Sequence, residues 1–296
     1  MSNQRPPTID PLAAQHWAAR VQPPSPWLHE EVARRMEERL GWIVQQPRQW
    51  VHWQPLRGGL QAQELITRRY PKSECFVLEG GENSVQTARK LIAKPWWVPA
   101  HWTAAPVHFG PPPEPVQMLW ANMALHMASD PQALIAQWHK LLSVDGFLMF
   151  SCLGPDTLRE VRSLYAAQGW PAPSHEFTDM HDWGDMLVHA GFAEPVMDME
   201  RITLSFSSPQ TLLEELRGLG RNLHAGRFAG LRGRGWRNAL HAELAQRLSR
   251  PAEGGRLQLT FEVIYGHAFK PQPRLHVRPE THVSLEEMRK NLRKIN

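Results

Sequence analysis

An acidic side chain and a glycine turn follow the first two strand-like apolar segments of the chain. Glu79 closes the segment at 75–79, and its two carboxylate oxygens could accept hydrogen bonds from both hydroxyls of a ribose. The turn at 51–59 ends in Gly58 and Gly59, and glycines let backbone N–H groups approach a ligand closely. Glu79 could equally be a charge that favours the start of the following helix. These residues together indicate a nucleotide-type cofactor site.

Two further polar residues follow the apolar segment at 116–120. Asn122 could offer an amide to a ligand in the crevice, and His126 could line the same crevice. His126 could also be an ordinary buried histidine of the core. The spacing alone leaves both interpretations open.

Alternation of strand-like and helix-like segments predicts how these residues are positioned. Parallel strands joined by helical crossovers form a doubly wound α/β sheet, and ligands of such sheets lie at the carboxyl ends of the strands. We therefore expect a doubly wound, Rossmann-like α/β sheet. The predicted elements are a helix at 27–43, strands at 50–53, 75–79, 116–120 and 146–151, helices at 60–70, 83–92 and 131–142, then helices at 156–169, 180–190 and from Ser208, strands at 196–206 and 257–265, and a last helix at 284–294.

The composition divides the chain into three predicted parts. Residues 1–26 are polar and Pro-rich and should form an irregular arm, 27–270 a single domain, and 271–296 a C-terminal extension. With 42% hydrophobic residues the chain can build a sizeable core, and a net charge of only +4 does not suggest a nucleic-acid-binding protein. Oligomeric state is left open.

Cysteine and histidine spacing argue against a metal site and against secretion. Cys75 and Cys152 each lie in an apolar run and should be buried thiols, while His175, His181 and His189 lack the spacing of a ligand set. The sequence shows neither a charged-then-apolar leader nor an apolar run of the ~20 residues that cross a membrane. These features predict a soluble cytoplasmic protein without a metal.

Several segments resemble class I S-adenosylmethionine-dependent methyltransferases. These are 85–90, 120–126 and 153–160, while 177–182, 216–220 and 259–267 are similar to the malonyl-acyl-carrier-protein O-methyltransferases of early biotin synthesis. The resemblance covers about 27–270 and implies a helical lid and a substrate half with insertions at about 156–256. It also implies methylation of the free carboxyl of a malonyl thioester. It implies cofactor contacts by Trp53, Arg57, Gly58, Gly59, Glu79 and Asn122, and a transfer region at Asn122 and His126.

The cofactor turn departs from the family pattern. An acid followed by Gly-x-Gly-x-Gly is expected, but the corresponding positions hold Trp53, Pro55, Arg57 and Gly59. Arg57 is predicted to project toward the methionine part of the cofactor. Two hypotheses follow: an active enzyme, or a catalytically inactive relative that acts as a binding or regulatory subunit.

A carboxylate substrate needs positioning more than it needs a base, because a carboxyl group with a reference pKa of about 4 is already ionised at neutral pH. An arginine could hold it through two hydrogen bonds, and Arg217 and Arg256 are the candidates. The stretch 217–237 contains six arginines and no acid. It could dock an acidic carrier protein, bind RNA, or be a solvated basic loop.

Overall fold

An eight-stranded sheet forms the centre of the computed structural model, which describes residues 8–20, 25–93, 105–250 and 254–273. The strands are β1 (Gln49–Trp53), β2 (Glu74–Leu78), β3 (Val107–Phe109), β4 (Val116–Ala121), β5 (Leu142–Leu153), β6 (Ala193–Phe206), β7 (Ser249–Arg250) and β8 (Arg256–Phe269). Their order is β3-β2-β1-β4-β5-β8-β6, with β7 pairing beside β8. The first five strands are parallel and β8 is antiparallel to its three partners β5, β6 and β7, so the predicted doubly wound α/β fold is confirmed.

Helices cover both faces of this sheet. They are α1 (Pro11–Ala18), α2 (Trp27–Arg39), α3 (Pro55–Gly58), α4 (Ala62–Arg69), α5 (Glu82–Ile92), α6 (Pro131–Leu141), α7 (Arg159–Ala167), α8 (Met180–His189), α9 (Pro209–Leu219) and α10 (Arg234–Leu248), with 3₁₀ turns at Leu40–Trp42 and Leu125–Met127. Side chains of α2, α4, α7, α9 and α10 share one apolar cluster with the sheet, and those of α6 and α8 share the other. Covering on both faces explains why β4 and β5 are almost continuously apolar in sequence.

The N-terminal arm is predicted to be irregular over 1–26, but part of it is helical. Residues 11–18 form α1, whose start is capped by the Asp10 carboxylate accepting from the Leu12 N–H at 2.9 Å. Pro11 at the first helical position is itself a helix-start signal, because its missing N–H would have no partner there. Trp17 and Ile9 are buried against Leu223, so long-range packing stabilises this short helix.

Two other elements differ from the predictions. The Pro-rich stretch before residue 115 contains the short edge strand β3, and the basic stretch leads into α10 at Arg234. The helix expected at 284–294, like most of the C-terminal extension, lies outside the described residues. The division into arm, domain and extension stays a prediction.

Candidate active site

The turn after β1 is pressed against the turn after β4. Gln54 adopts a left-handed conformation (φ 46°), and the single helical turn α3 follows it. A Cβ added to Gly58 would lie 2.7 Å from the Asn122 carbonyl oxygen, so only glycine fits at this close approach. Gly59 has φ 121°, which is also a glycine conformation. The backbone of the predicted cofactor turn therefore requires both glycines, Gly58 for its close approach to Asn122 and Gly59 for its positive φ.

Asn122 holds three segments together. Its side-chain amide donates to the His29 carbonyl oxygen at 2.8 Å and to the Gly58 carbonyl oxygen, while its Oδ1 accepts from the Ser151 hydroxyl at 2.5 Å. Only 2% of Asn122 is exposed. The side chain thus positions the cofactor turn, and its backbone lines the crevice.

Two residues outside the predicted site set, Ser151 and Glu30, also stabilise this region. Ser151 accepts from the Met123 N–H at 3.0 Å, and the Glu30 carboxylate accepts from the N–H groups of Leu60 and Gln61 at 2.8 and 3.0 Å. Glu30 therefore satisfies backbone groups at the entry to α4. Neither partner is near in sequence, so no local pattern could have indicated the contact.

Glu79 lies where β2 ends, beside the cofactor turn. One carboxylate oxygen accepts from the Leu56 N–H at 3.0 Å. Burial raises the pKa of Glu79 from its ordinary value of 4.5 to about 7, although the Leu56 N–H and the charge of Arg57 oppose this shift. The acid is thus a desolvated acceptor at the edge of the sheet where ligands of this fold bind.

Arg57, which the sequence predicts to project toward the methionine part of the cofactor, is bonded to the end of α1. Its Nη2 donates to the carbonyl oxygens of Trp17, Ala18 and Arg20 at 2.5, 3.0 and 2.6 Å, and its Cζ lies 4.7 Å from the centre of the Trp17 ring. A positive charge is stabilising at the C-terminal end of a helix, because the carbonyl groups there lack intrahelical partners. Arg57 therefore fastens α1 over the cofactor turn.

The other end of α1 is fastened to the substrate half. The Asp10 carboxylate pairs with Arg227 at 2.7 Å, and the Asp10 N–H donates to the Leu223 carbonyl oxygen at 2.8 Å. Arg221 lies over the Trp17 ring with its Cζ 5.4 Å from the ring centre. α1 thus bridges the cofactor turn and the segment at 220–227.

A small cavity of about 40 Å³ lies beneath α1. It is lined by Trp17, His29, Gln54, Arg57, Gly58, Asn122, Met123, Ala124, Met127 and Leu219. The adjacent acid and glycines suit a nucleoside cofactor, but this volume is of the order that holds a water molecule. Because this volume is smaller than a nucleoside, we expect α1 to move outward before a nucleoside enters.

A larger cavity of about 240 Å³ lies beside the first, and the two share Met127 and Leu219. It is lined by His126, Met127, Leu153, Leu158, Pro173, Ser174, His175, Phe177, Leu213, Leu216, Arg217, Leu219, Gly220, Arg221, Asn222 and Phe261. Burial holds the pKa of His126 well below its ordinary value, so its ring is neutral. Arg217 and Arg221 are exposed and stand at the mouth of this cavity.

Of the predicted site residues, Arg57, Gly58 and Asn122 line the smaller cavity, and His126 and Arg217 line the larger one. Gly59 belongs to the cofactor turn and Glu79 contacts it, although neither lines a cavity, and two other predicted residues lie apart. Trp53 is buried in the core, edge-on to Trp138 with ring centres 5.9 Å apart, and lines neither cavity. Arg256 is exposed and donates to the Ser205 hydroxyl at 3.0 Å, away from both cavities. The predicted contacts of Trp53 with cofactor and of Arg256 with substrate therefore have no support. Among the described residues there is no cluster of three His, Cys, Asp or Glu that could hold a metal ion.

Comparison with known proteins decides the family. No family model matches the sequence. A malonyl-[acyl-carrier protein] O-methyltransferase of Gallionella capsiferriformans is 36% identical over 84% of this chain and 86% of its own length, and that of Laribacter hongkongensis is 36% identical over 83% and 84%. The chain belongs to the malonyl-[acyl-carrier protein] O-methyltransferase family.

Solved structures agree with this at the level of the fold. A candidate methyltransferase from Bacillus halodurans has a TM-score of 0.53 at 14% identity, covering 82% of this chain and all of that one. The predicted family and enzyme class are thus confirmed, and the chain is an O-methyltransferase. Nothing favours the inactive regulatory alternative.

Within the described residues no helix is both long and apolar enough to cross a membrane.

The hold of Arg57 on α1 can be tested directly. We expect Arg57→Gln to speed amide hydrogen exchange over 11–20 and to raise the association rate of S-adenosylhomocysteine several-fold, because the helix must move before a nucleoside enters. Arg68→Gln is the matched control, since Arg68 is exposed and pairs only along its own helix with Glu64. Unchanged protection of 11–20 in the Arg57 variant would contradict this role.

Proposed function

We propose that this methyltransferase uses S-adenosylmethionine to methylate the free carboxylate of malonyl-acyl carrier protein, an early reaction of biotin synthesis. The observation that carries the proposal is the pair of adjoining cavities. One lies at the cofactor edge of the sheet and the other is apolar with a basic mouth, and they meet at Met127 and Leu219. A donor in the first would face an acceptor in the second.

The residues around the smaller cavity suit the cofactor in chemistry. Glu79 would accept from the ribose hydroxyls, and the backbone at Gly58 and Gly59 would lie against the amino-acid part. Asn122 keeps the turn in place. When bound, S-adenosylmethionine supplies an electrophilic methyl group on a sulfonium. The outward movement of α1 would admit the cofactor, and its return would exclude water from the site.

The chain needs no general base for this reaction. A carboxylate is the nucleophile and is ionised at neutral pH. The neutral ring of His126 beside the acceptor cavity could donate or accept a hydrogen bond. Alignment of the two substrates is then the main contribution of the protein.

A carrier protein is the partner that fits the mouth of the acceptor cavity. Arg217 and Arg221 stand there, in a stretch of six arginines without an acid. Parts of that stretch are already engaged, since Arg227 pairs with Asp10 and Arg232 lies over Trp236 with 4.0 Å between its Cζ and the ring centre. Arg221 is engaged as well, since it lies over the Trp17 ring, so the exposed Arg217 is the mouth residue that can attract an acidic surface. Cytoplasmic location stays a prediction.

The partner can be tested with Arg217. We expect Arg217→Gln to raise KM for malonyl-acyl carrier protein about 3- to 10-fold at low salt, since exposed charges steer association and are screened by ions. The effect on malonyl-coenzyme A should be smaller. Arg256→Gln, at an exposed arginine away from both cavities, is the control. Equal effects of the two variants would contradict docking at the mouth.

The reaction itself is tested by incubating malonyl-acyl carrier protein with S-adenosylmethionine and the protein. Mass spectrometry of the ejected acyl-pantetheine should show one added methyl group on the malonyl carboxyl. Acetyl-acyl carrier protein, which lacks the free carboxyl, should stay unmodified. No transfer, or methylation of both carriers, would overturn the proposed substrate.

A further inference from the structure

The floor of the larger cavity contains polar atoms without a partner. His175 is 2% exposed and Ser174 is 9% exposed, yet within the described chain neither the His175 Nδ1 nor the Ser174 hydroxyl has a hydrogen-bond partner. Both residues line the cavity. Because leaving a buried polar group unpaired costs about 1–3 kcal/mol, such atoms point to a ligand that pairs with them.

The orientation of the His175 ring fixes what it can bind. Its Nε2 lies 2.9 Å from the His126 carbonyl oxygen, and a carbonyl only accepts, so Nε2 carries a proton. The neutral ring then has a bare lone pair at Nδ1. With a second proton, Nδ1 becomes a donor and the ring an imidazolium, which is a partner for an anion.

We propose that His175 and Ser174 bind the free carboxylate of the acyl substrate, and that His175 takes up a proton from solvent as the carboxylate binds. This assignment rests on the proposed function and names the recognition site within it. The carboxylate is the leading end of a malonyl thioester, so it reaches the floor while the thioester arm runs out past Arg217 to the carrier. No bond to the substrate is made or broken by either residue.

The surroundings of His175 explain why the proton arrives with the ligand. Burial lowers the pKa of His175, and the positive charge of a protonated His224 would lower it further. The titratable groups around it are His126 from the turn after β4, His224, Arg217 and Arg221 at the mouth, and the exposed Glu176 next to it in sequence. No described lining residue of the cavity is acidic. A substrate carboxylate would supply the missing negative charge.

Calorimetry with malonyl-coenzyme A, in the presence of S-adenosylhomocysteine, tests the proposal. Titrations at pH 8 in phosphate and in Tris, whose ionisation enthalpies differ, should show uptake of about one proton per ligand. We expect His175→Gln to abolish that uptake and to weaken malonyl-coenzyme A binding at least 10-fold. Binding of acetyl-coenzyme A, which has no free carboxylate, should be unchanged in the variant.

Two further variants keep the test decisive. Ser174→Ala should weaken malonyl-coenzyme A binding several-fold and retain proton uptake, and His189→Gln, at an exposed histidine of α8, should change neither. A wild-type protein that binds malonyl-coenzyme A without buffer dependence would overturn the proposal, as would a His175 variant that loses both ligands equally. If wild type methylates malonyl-acyl carrier protein but shows no proton uptake, only this assignment falls. If it binds with proton uptake but transfers no methyl group, the proposed function falls instead.

Discussion

Replacing Glu79 with Gln should weaken S-adenosylhomocysteine binding about 10- to 100-fold, because hydrogen bonds to a charged group contribute about 1.5–3 kcal/mol. The amide oxygen of Gln can still accept from the Leu56 N–H, so the turn that this bond supports should keep its shape. Glu82→Gln, at an exposed acid of the next helix, is the matched control and should bind like wild type. Isothermal titration calorimetry measures the difference.

Ionisation of Glu79 should also make cofactor affinity depend on pH. In the free protein the pKa of Glu79 is about 7, and only the ionised form accepts from both ribose hydroxyls. Cofactor affinity should therefore increase as pH rises from 6 to 8 in wild type, and this increase should be absent in Glu79→Gln. An identical pH profile for both proteins would show that Glu79 does not contact the ribose.

Replacing Asn122 with Ala should lower the free energy of unfolding by about 3–5 kcal/mol, since each buried group left without its partner costs about 1–3 kcal/mol. The substitution removes partners from the carbonyl oxygens of His29 and Gly58 and from the Ser151 hydroxyl. The turn would also lose the bond that holds it against the end of β4, so cofactor affinity should fall too. Urea denaturation gives the stability.

The control for Asn122 is Asn83, which is exposed on α5. Asn83→Ala should change the free energy of unfolding by no more than about 0.5 kcal/mol, as is usual for surface positions. If Asn122→Ala proved as mild as Asn83→Ala, the three hydrogen bonds would not be what positions the turn.

The parallel sheet was predictable because its strands are apolar on both faces and alternate with helices. The position of Trp53 was predictable only in part. Neighbouring strand residues point to opposite faces, so Trp50 packs with one cluster while Val51 and Trp53 pack with the other. The family pattern indicated which position Trp53 occupies in the motif. It did not indicate on which face of the sheet the Trp53 side chain lies.

The contacts that define the site are the part that the sequence could not supply. Arg57 bonds to carbonyl groups of α1 about forty positions earlier in the chain, and Asp10 pairs with Arg227. Arg256 was placed by a matching segment, but it lies seven residues before Val263, the partner of Leu153 at the carboxyl end of β5. The distance of Arg256 from the carboxyl end of β5 is set by the register of β8 against β5. No local sequence motif specifies that register.

We infer that the cofactor site binds S-adenosylmethionine although its turn lacks two family glycines and holds Arg57. Calorimetric titration of the full chain with S-adenosylhomocysteine measures this binding. We expect saturable binding of one ligand per chain with micromolar affinity, slowed in association by the movement of α1. Absence of binding at millimolar ligand would contradict it.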